Sequence, residues 1–330
     1  MNHTQGSAPI LIMAFARPQQ TSRLLTQVEN LGVRSVHISI DGADAESKFR
    51  LQNQIVRTVV LNFSQSSKHN VTFTIHEQSL GLLQHFKIAL NEFFSTFNSG
   101  IVLEDDMEFA PSFIKFVDLH YNSILMRKYW SICGHNPTLV ANKRKGEPCR
   151  ISFFETDVHT IWGWASTQEN VFRFINFLES SQKQVLDSVH DFSHKKFKIS
   201  MLRKLFSAIW QMKVNRFFNS RSPNWDNMWV IAGWDSGKRS LMPEVSLVRE
   251  HSDQSEGQTH PHFSNYDSVN SETFLKTEID GIRNSNNGVY EFRLLRVWGI
   301  NLRSIMWFNL SLIKFSFAKT MKTERKHRFQ

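Results

Sequence analysis

Gly100-Ile101-Val102-Leu103-Glu104-Asp105-Asp106-Met107-Glu108-Phe109-Ala110-Pro111-Ser112-Phe113 is the stretch on which the fold turns. Its first four residues read as a short buried strand, and that strand runs without a break into three consecutive acids. Like charges crowded at the end of an apolar strand repel one another. A divalent cation removes that cost, because hard cations take carboxylate oxygens as ligands. An acidic surface turn is the other reading of any such triplet taken alone.

Working upstream, the apolar run at 8–15 reads as a buried strand closed by Ala16-Arg17-Pro18. Residues 21–31 carry apolar side chains at helical spacing and end near Gly32. Residues 36–40 alternate and stop at the turn signal Asp41-Gly42. A helix is expected over 53–63, a strand over 71–76, and an amphipathic helix over 82–97 with Phe86, Ala89, Leu90 and Phe93 on one face. Strands alternating with helices imply an α/β fold around a single Rossmann-like, mostly parallel sheet covered on both faces. In such sheets ligands gather at the carboxyl ends of strands. Arg17, Asp41 and the Glu104-Asp105-Asp106 triplet all fall at such ends.

Downstream, 130–134 and 159–165 read as further strands, with a polar loop over 141–150 between them. Residues 171–178 read as a helix, 181–221 as a basic helical insert, 243–249 as a strand and 250–270 as a polar loop. The organisation is a domain over 1–290 followed by a basic, aromatic-rich helical extension over 291–330.

The chain has 330 residues, 41% of them hydrophobic, and a formal net charge of +9. A large core is therefore available, which excludes a disordered or fibrous chain. Two cysteines, Cys133 and Cys149, cannot make a disulfide framework or a four-cysteine zinc site. Residues 194–221 hold eight Lys and Arg and no acid, and residues 291–330 hold nine against two acids. The remainder has 22 basic and 28 acidic residues, a net of −6. Two basic segments on a mildly acidic body do not suit a nucleic-acid binder. Within them, Phe197, Leu202, Leu205, Phe206 and Ile209 interleave with Lys195, Lys196, Lys198, Arg203 and Lys204, and a similar pattern runs from Arg296 to Phe315. Such a pattern suits an anionic membrane surface, or else it is the solvated face of a helix. Residues 1–9 lack the features of a signal peptide, and 305–317, interrupted by Asn309 and Lys314, are too short to cross a bilayer. The expected location is the cytoplasm, peripheral on the inner face of the cytoplasmic membrane.

Phe15-Ala-Arg-Pro, Ile38-Ser-Ile-Asp-Gly, Ser79-Leu-Gly-Leu and the stretch from Gly100 to Phe113 resemble, in this order, the nucleotide-sugar transferases of the A-type glycosyltransferase fold. The last stretch is similar to the metal-site segment of the N-acetylglucosaminyltransferase I family and its bacterial relatives. Trp162-Gly-Trp-Ala, Trp225-Asp-Asn-Met-Trp, Pro243-Glu-Val-Ser and Gly257-Gln-Thr-His follow in the family's order. The resemblance spans about 9–262 and covers neither the basic insert nor the C-terminal extension. It implies that Asp106, with His260, ligates Mn²⁺ or Mg²⁺ at the donor diphosphate. It places Glu104 and Asp105 at the donor sugar and ribose, Asp41 at the nucleobase, Arg17 beside the nucleotide, and Thr259 and His260 over the phosphates. Asp226 matches the catalytic base, while Trp162, Gly163, Trp164 and Trp225 match the sugar or acceptor pocket. The segment departs from the family's around Asn227.

Each role has a plain structural counterpart. Asp226 can serve as a helix cap, Trp162 and Trp164 as core aromatics, and His260 as a surface histidine. The expectation is a metal-dependent, inverting glycosyltransferase moving a sugar from a UDP-linked donor to a glycan or lipid-linked acceptor in surface polysaccharide synthesis. The rivals are a sugar-phosphate nucleotidyltransferase, disfavoured because the loop after the first strand lacks glycine, and a non-catalytic glycan- or membrane-binding protein.

Overall fold

The computed structural model describes residues 7–137, 150–220, 224–250 and 278–283. The chain divides into two compact units, Met1–Ser285 and Asn286–Gln330, and every described residue belongs to the first. The expected loops over 141–149 and 251–270, the expected ligand contacts of Thr259 and His260, and the expected extension over 291–330 lie outside the described residues.

The chain begins with β1 (Ile10–Ala14), α1 (Pro18–Glu29), β2 (Ser35–Ile40), α2 (Arg50–Ser66), β3 (Asn70–Ile75), α3 (Leu82–Thr96) and β4 (Ser99–Glu104). It continues with β5 (Met107–Phe109), α4 (Pro111–His120), α5 (Ile124–Lys128), β6 (Ile132–Cys133), β7 (Arg150–Thr156) and β8 (Trp164–Thr167). Then come α6 (Gln168–Leu178), α7 (Gln182–Lys196), α8 (Ser200–Asn219), α9 (Trp225–Ser236), β9 (Ser240–Pro243), β10 (Val248–Glu250) and β11 (Glu278–Arg283). Together they make an α/β fold in which nine strands form one sheet, ordered β11-β7-β9-β6-β8-β4-β1-β2-β3, and β10 and β5 form a two-stranded ribbon.

Strands β4, β1, β2 and β3 are all parallel. The order 3-2-1-4 means that the chain builds outward from β1 in one direction and then returns to its other side. The boundary between β1 and β4 is thus a topological switch point, where the connections leave in opposite directions and open a crevice at the carboxyl ends. Beyond β4 the sheet is mixed. β8 runs antiparallel to both β4 and β6, so its N-terminal approach arrives at the same edge as the end of β4.

Alternate residues of β1 face opposite layers, as the two-residue strand period requires. Ile10 and Ile12 join a buried cluster with Leu24, Leu25 and Val28 of α1, Val56 and Val60 of α2, and Phe113 and Val117 of α4. The other layer is aromatic. Trp229 of α9 is fully buried, with ring centroids 4.7 Å from Trp130, 4.4 Å from Trp164 and 5.0 Å from Phe174. Burial of each such ring contributes several kcal/mol, of the order of 25 cal/mol per Å² of apolar surface. Among the described residues, no helix is long and apolar enough to cross a membrane.

Candidate functional site

A cleft opens at the switch point, lined by Arg17, Leu82, Glu104, Asp106, Met107, Ile161, Trp162, Asn224, Trp225 and Asp226. Arg17 follows β1 and is the N-cap of α1, whose first residue is Pro18. Proline suits that position, since it has no N–H to leave unpaired there and its φ is already helical. Glu104 ends β4, and Asp105-Asp106 form the turn into β5.

The three acids have different surroundings. Asp105 is 2% exposed; its Oδ2 accepts the Phe15 N–H at 3.0 Å and its Oδ1 accepts Arg17 Nη1 at 2.9 Å. Asp106 is partly exposed and lies 3.0 Å from the same Arg17 nitrogen. Burial pushes the Asp105 carboxyl up to about 6; Arg17 pulls it down, and the like charge of Asp106 adds to the rise. Burial alone would lower the Arg17 guanidinium, but Asp105, Asp106 and Glu104 together outweigh it and raise it. The two partners thus shift in ways that oppose and favour the ion pair. The geometry supports an ionised Asp105, because both its oxygens face donors.

Asp105 therefore ties the β4 turn to the β1 turn and holds Arg17 beside Asp106. Of the three acids, Glu104 and Asp106 line the cleft and Asp105 does not. Asp41 is not in the cleft lining either. It is 6% exposed, and its Oδ1 accepts both the Gly42 N–H and the Leu80 N–H, each at 2.9 Å. It fastens the end of β2 to the segment that enters α3, beside the cleft rather than in its lining. Gly42 is required at this junction, since a Cβ there would stand 2.3 Å from the Gln78 carbonyl.

The opposite wall is α9. Asn224 is its N-cap and Asp226 lies in its first turn, where the helix dipole favours a negative charge. Asp226 Oδ1 accepts the Asn227 N–H at 2.7 Å, so the side chain bonds the turn's backbone from within the helix and is not the cap residue itself. Lys213 of α8 reaches the same turn: its Nζ bonds Asn227 Oδ1 at 3.0 Å and sits 4.4 Å above the Trp210 ring. Burial pulls its ammonium down, and Asp226 opposes that. The basic insert thereby supplies a cation near Asp226. No local pattern in the sequence marks Lys213 for this position.

The four residues expected in the sugar or acceptor pocket separate. Trp162 lines the cleft, its ring 4.6 Å from that of His135. Trp225 lines it too, while its ring stacks on Phe86 at 3.6 Å. Trp164 is 1% exposed and belongs to the aromatic core. Gly163 adopts φ +59, and a Cβ there would meet the Val248 side chain at 2.6 Å. The close approach that Gly163 permits is to β10 and not to a ligand.

Three helices begin at this cleft: α1 at Arg17, α3 at Leu82 and α9 at Asn224. None of the three has a side-chain cap on its first turn. At α1 and α3 the helix dipole favours an anionic ligand, while at α9 the Asp226 carboxylate already stands in the first turn and accepts the Asn227 N–H. Leu82, which is 58% exposed, sits at the start of α3, and Gly81 before it has φ +74. The sequence reading did not single out Leu82, Met107, Ile161 or Asn224.

Among the described residues no group of three or more His, Cys, Asp or Glu side chains is placed to hold a metal ion by itself. Glu104 and Asp106 are hard oxygen donors at the cleft. That donor set fits a cation that completes its shell with substrate phosphates and water, as Mg²⁺ commonly does.

No protein-family model matches the chain, and no curated protein matches it in sequence. Among solved structures it is similar to the crystal structure of HddC from Yersinia pseudotuberculosis, at 12% identity and a TM-score of 0.27, over 49% of this chain and 77% of that one. A likeness at that level carries no argument about activity.

Proposed function

We propose that the chain is a metal-dependent glycosyltransferase of the A-type fold that takes a nucleoside-diphosphate sugar, UDP-linked, and transfers the sugar with inversion to a glycan hydroxyl. The observation that carries this reading is the meeting of Asp226 with Glu104 and Asp106 in one cleft at the β1/β4 switch point, across some 120 residues of chain. One edge of the cleft suits a diphosphate: Arg17 and the N-termini of α1 and α3 supply positive potential there. Asp226 faces it from the other wall as an acceptor of a proton.

A divalent cation held by Glu104 and Asp106 would neutralise the charge that develops on the leaving diphosphate. Arg17, kept in place by Asp105, adds a fixed positive charge on the same side. Asp226 takes the proton from the attacking hydroxyl, a role worth about 10²–10⁴ in rate. A single carboxylate opposite the leaving group suits one direct displacement. Trp162 offers a flat apolar face of the kind that suits a sugar ring, whereas Trp225, 4% exposed and stacked on Phe86, has little face left to offer.

A thermal-shift screen of UDP-sugars with and without Mn²⁺ tests the reading. Ligand at a hundred times its Kd stabilises the folded state by about 2.7 kcal/mol. The expected result is a rise in midpoint that requires both UDP-sugar and metal, and that Asp106→Asn removes. A metal-independent rise, or one that survives Asp106→Asn, overturns it.

A further inference from the structure

The hairpin of α7 and α8 has a tip whose chemistry differs from that of its stem. Along the stem Val185 and Val189 of α7, and Leu205, Phe206, Trp210, Val214 and Phe217 of α8, are buried. Phe206 lies 4.7 Å from Phe197 and 5.2 Å from Trp234 by ring centroids. Several of the apolar side chains that alternate with lysine in the sequence are therefore core. They are not available as a lipid-facing stripe along the helix.

At the turn itself the pattern reverses. Ile199 is 62% exposed and Met201 56% exposed, with Lys198 and Lys204 exposed and Arg203 partly exposed beside them. Lys195 is 3.6 Å from Asp191, and Lys196 bonds Asp157. Among the described residues, Lys198, Arg203 and Lys204 have no carboxylate partner. An exposed apolar side chain is ordinary on its own, as is a basic run. Two exposed apolar side chains and three cations without a carboxylate partner among the described residues fall within 198–204 and form a matched set.

We propose that this tip docks on an anionic bilayer, with Ile199 and Met201 at the boundary of headgroups and acyl chains and Lys198, Arg203 and Lys204 against lipid phosphates. Charge complementarity and the apolar pair select this occupant: interfacial binding scales with buried apolar area plus attraction to anionic lipid. A nucleic-acid backbone would take the cations but would leave Ile199 and Met201 without an apolar partner. The tip is also remote from the cleft. Lys213, which touches α9, is 13 residues along α8 from Ser200, hence about 20 Å from the tip. Docking and ligand binding in the cleft are thus separable, and this inference does not rest on the proposed reaction.

The test is co-sedimentation of the full chain with phosphatidylcholine vesicles that contain or lack phosphatidylserine. The parent is expected to sediment only with the anionic vesicles, and less at high salt. Lys198→Gln/Arg203→Gln/Lys204→Gln should lower the partition constant on the order of a hundredfold, about fivefold for each cation. Ile199→Asn/Met201→Asn should lower it about tenfold. Both variants should keep the parent's circular dichroism and thermal midpoint. The proposal is overturned if either folded variant sediments like the parent, or if the parent binds duplex nucleic acid or an acidic protein but not anionic vesicles.

Discussion

The two halves of the nine-stranded sheet are built by different rules. In β4-β1-β2-β3 the strands are parallel, with four to six residues in each paired register, and a helix intervenes between each strand and the next in the chain. In β8-β6-β9-β7-β11 directions are mixed, β6 has only two residues, and β6 pairs with β9 through Ile132 and Leu241, over a hundred residues apart. The parallel half brings its carboxyl ends to one edge, and the Arg17 and Glu104/Asp106 side of the cleft follows from that. The mixed half supplies the other side because β8 runs the opposite way and delivers Ile161 and Trp162 to the same edge. One half sets the charge of the cleft, and the other sets much of its walls.

The largest expected effect separates the two sides chemically. Asp226→Asn should lower sugar transfer by about 10²–10⁴-fold while the thermal shift with UDP-sugar and Mn²⁺ persists. Asp106→Asn should abolish that shift. Paired turnover and melting measurements on both variants check this, and equal loss of ligand binding in both would merge the two sides into one.

Acid should act next. Burial pulls His85 and His135 down to about 4, each with smaller opposing contributions, and His159 down to about 3. Unfolding lets all three take up protons below the ordinary value of 6.5. The stability they support is whole above pH 6.5 and falls as pH drops toward 4, by up to about 1.4 kcal/mol per pH unit for each histidine. Asp105, ionised at neutral pH but raised by burial to about 6, takes up a proton in the folded state only below that pH and there opposes the trend, one group against three. Urea midpoints measured from pH 7.5 down to pH 5 should decline steadily, and a flat profile would contradict the burial of these rings.

Trp229→Ala in the aromatic layer should cost about 3–5 kcal/mol, because it removes a ring packed against three others. Gly163→Ala should cost less, roughly 1–3 kcal/mol, for strain at φ +59 and overlap with Val248. Chemical denaturation measures both. A Gly163→Ala loss as large as that of Trp229→Ala would show that the β8 approach, and not the core, limits the stability of the mixed half.

The parallel half was legible because its signals are local. The apolar run at 8–15, the alternation at 36–40 and the 3.6-residue spacing of Phe86, Ala89, Leu90 and Phe93 each fall on the element they indicate. The mixed half was not. The strand expected over 159–165 begins only at Trp164, because Gly163 leaves the extended conformation where Val248 packs against it. The strand expected over 243–249 is two, β9 and β10; between them the Glu244 carboxylate accepts the Ser152 N–H at 3.0 Å, and the Glu244 N–H donates to the Ser152 carbonyl at 3.1 Å. β7 and β11 pair with strands far away in the chain and were missed. The basic segment read as one element is two antiparallel helices, since its aromatic residues seal a hairpin against α9.

The sequence alone determined the alternating architecture of the first hundred residues, the acid triplet at a strand end, and the concentration of charge in two segments. These depend on periodicity and on neighbours in the chain. Only the tertiary structure decided which acids face the cleft. Glu104, Asp105 and Asp106 are adjacent in sequence, yet Asp105 turns inward to Phe15 and Arg17 while its neighbours face out, because the turn after β4 points successive side chains in different directions. It likewise brought Lys213 of α8 against the α9 turn that carries Asp226, at the rim of a crevice opened by strand order. No local pattern encodes that order, because it arises from pairings between strands far apart in the chain.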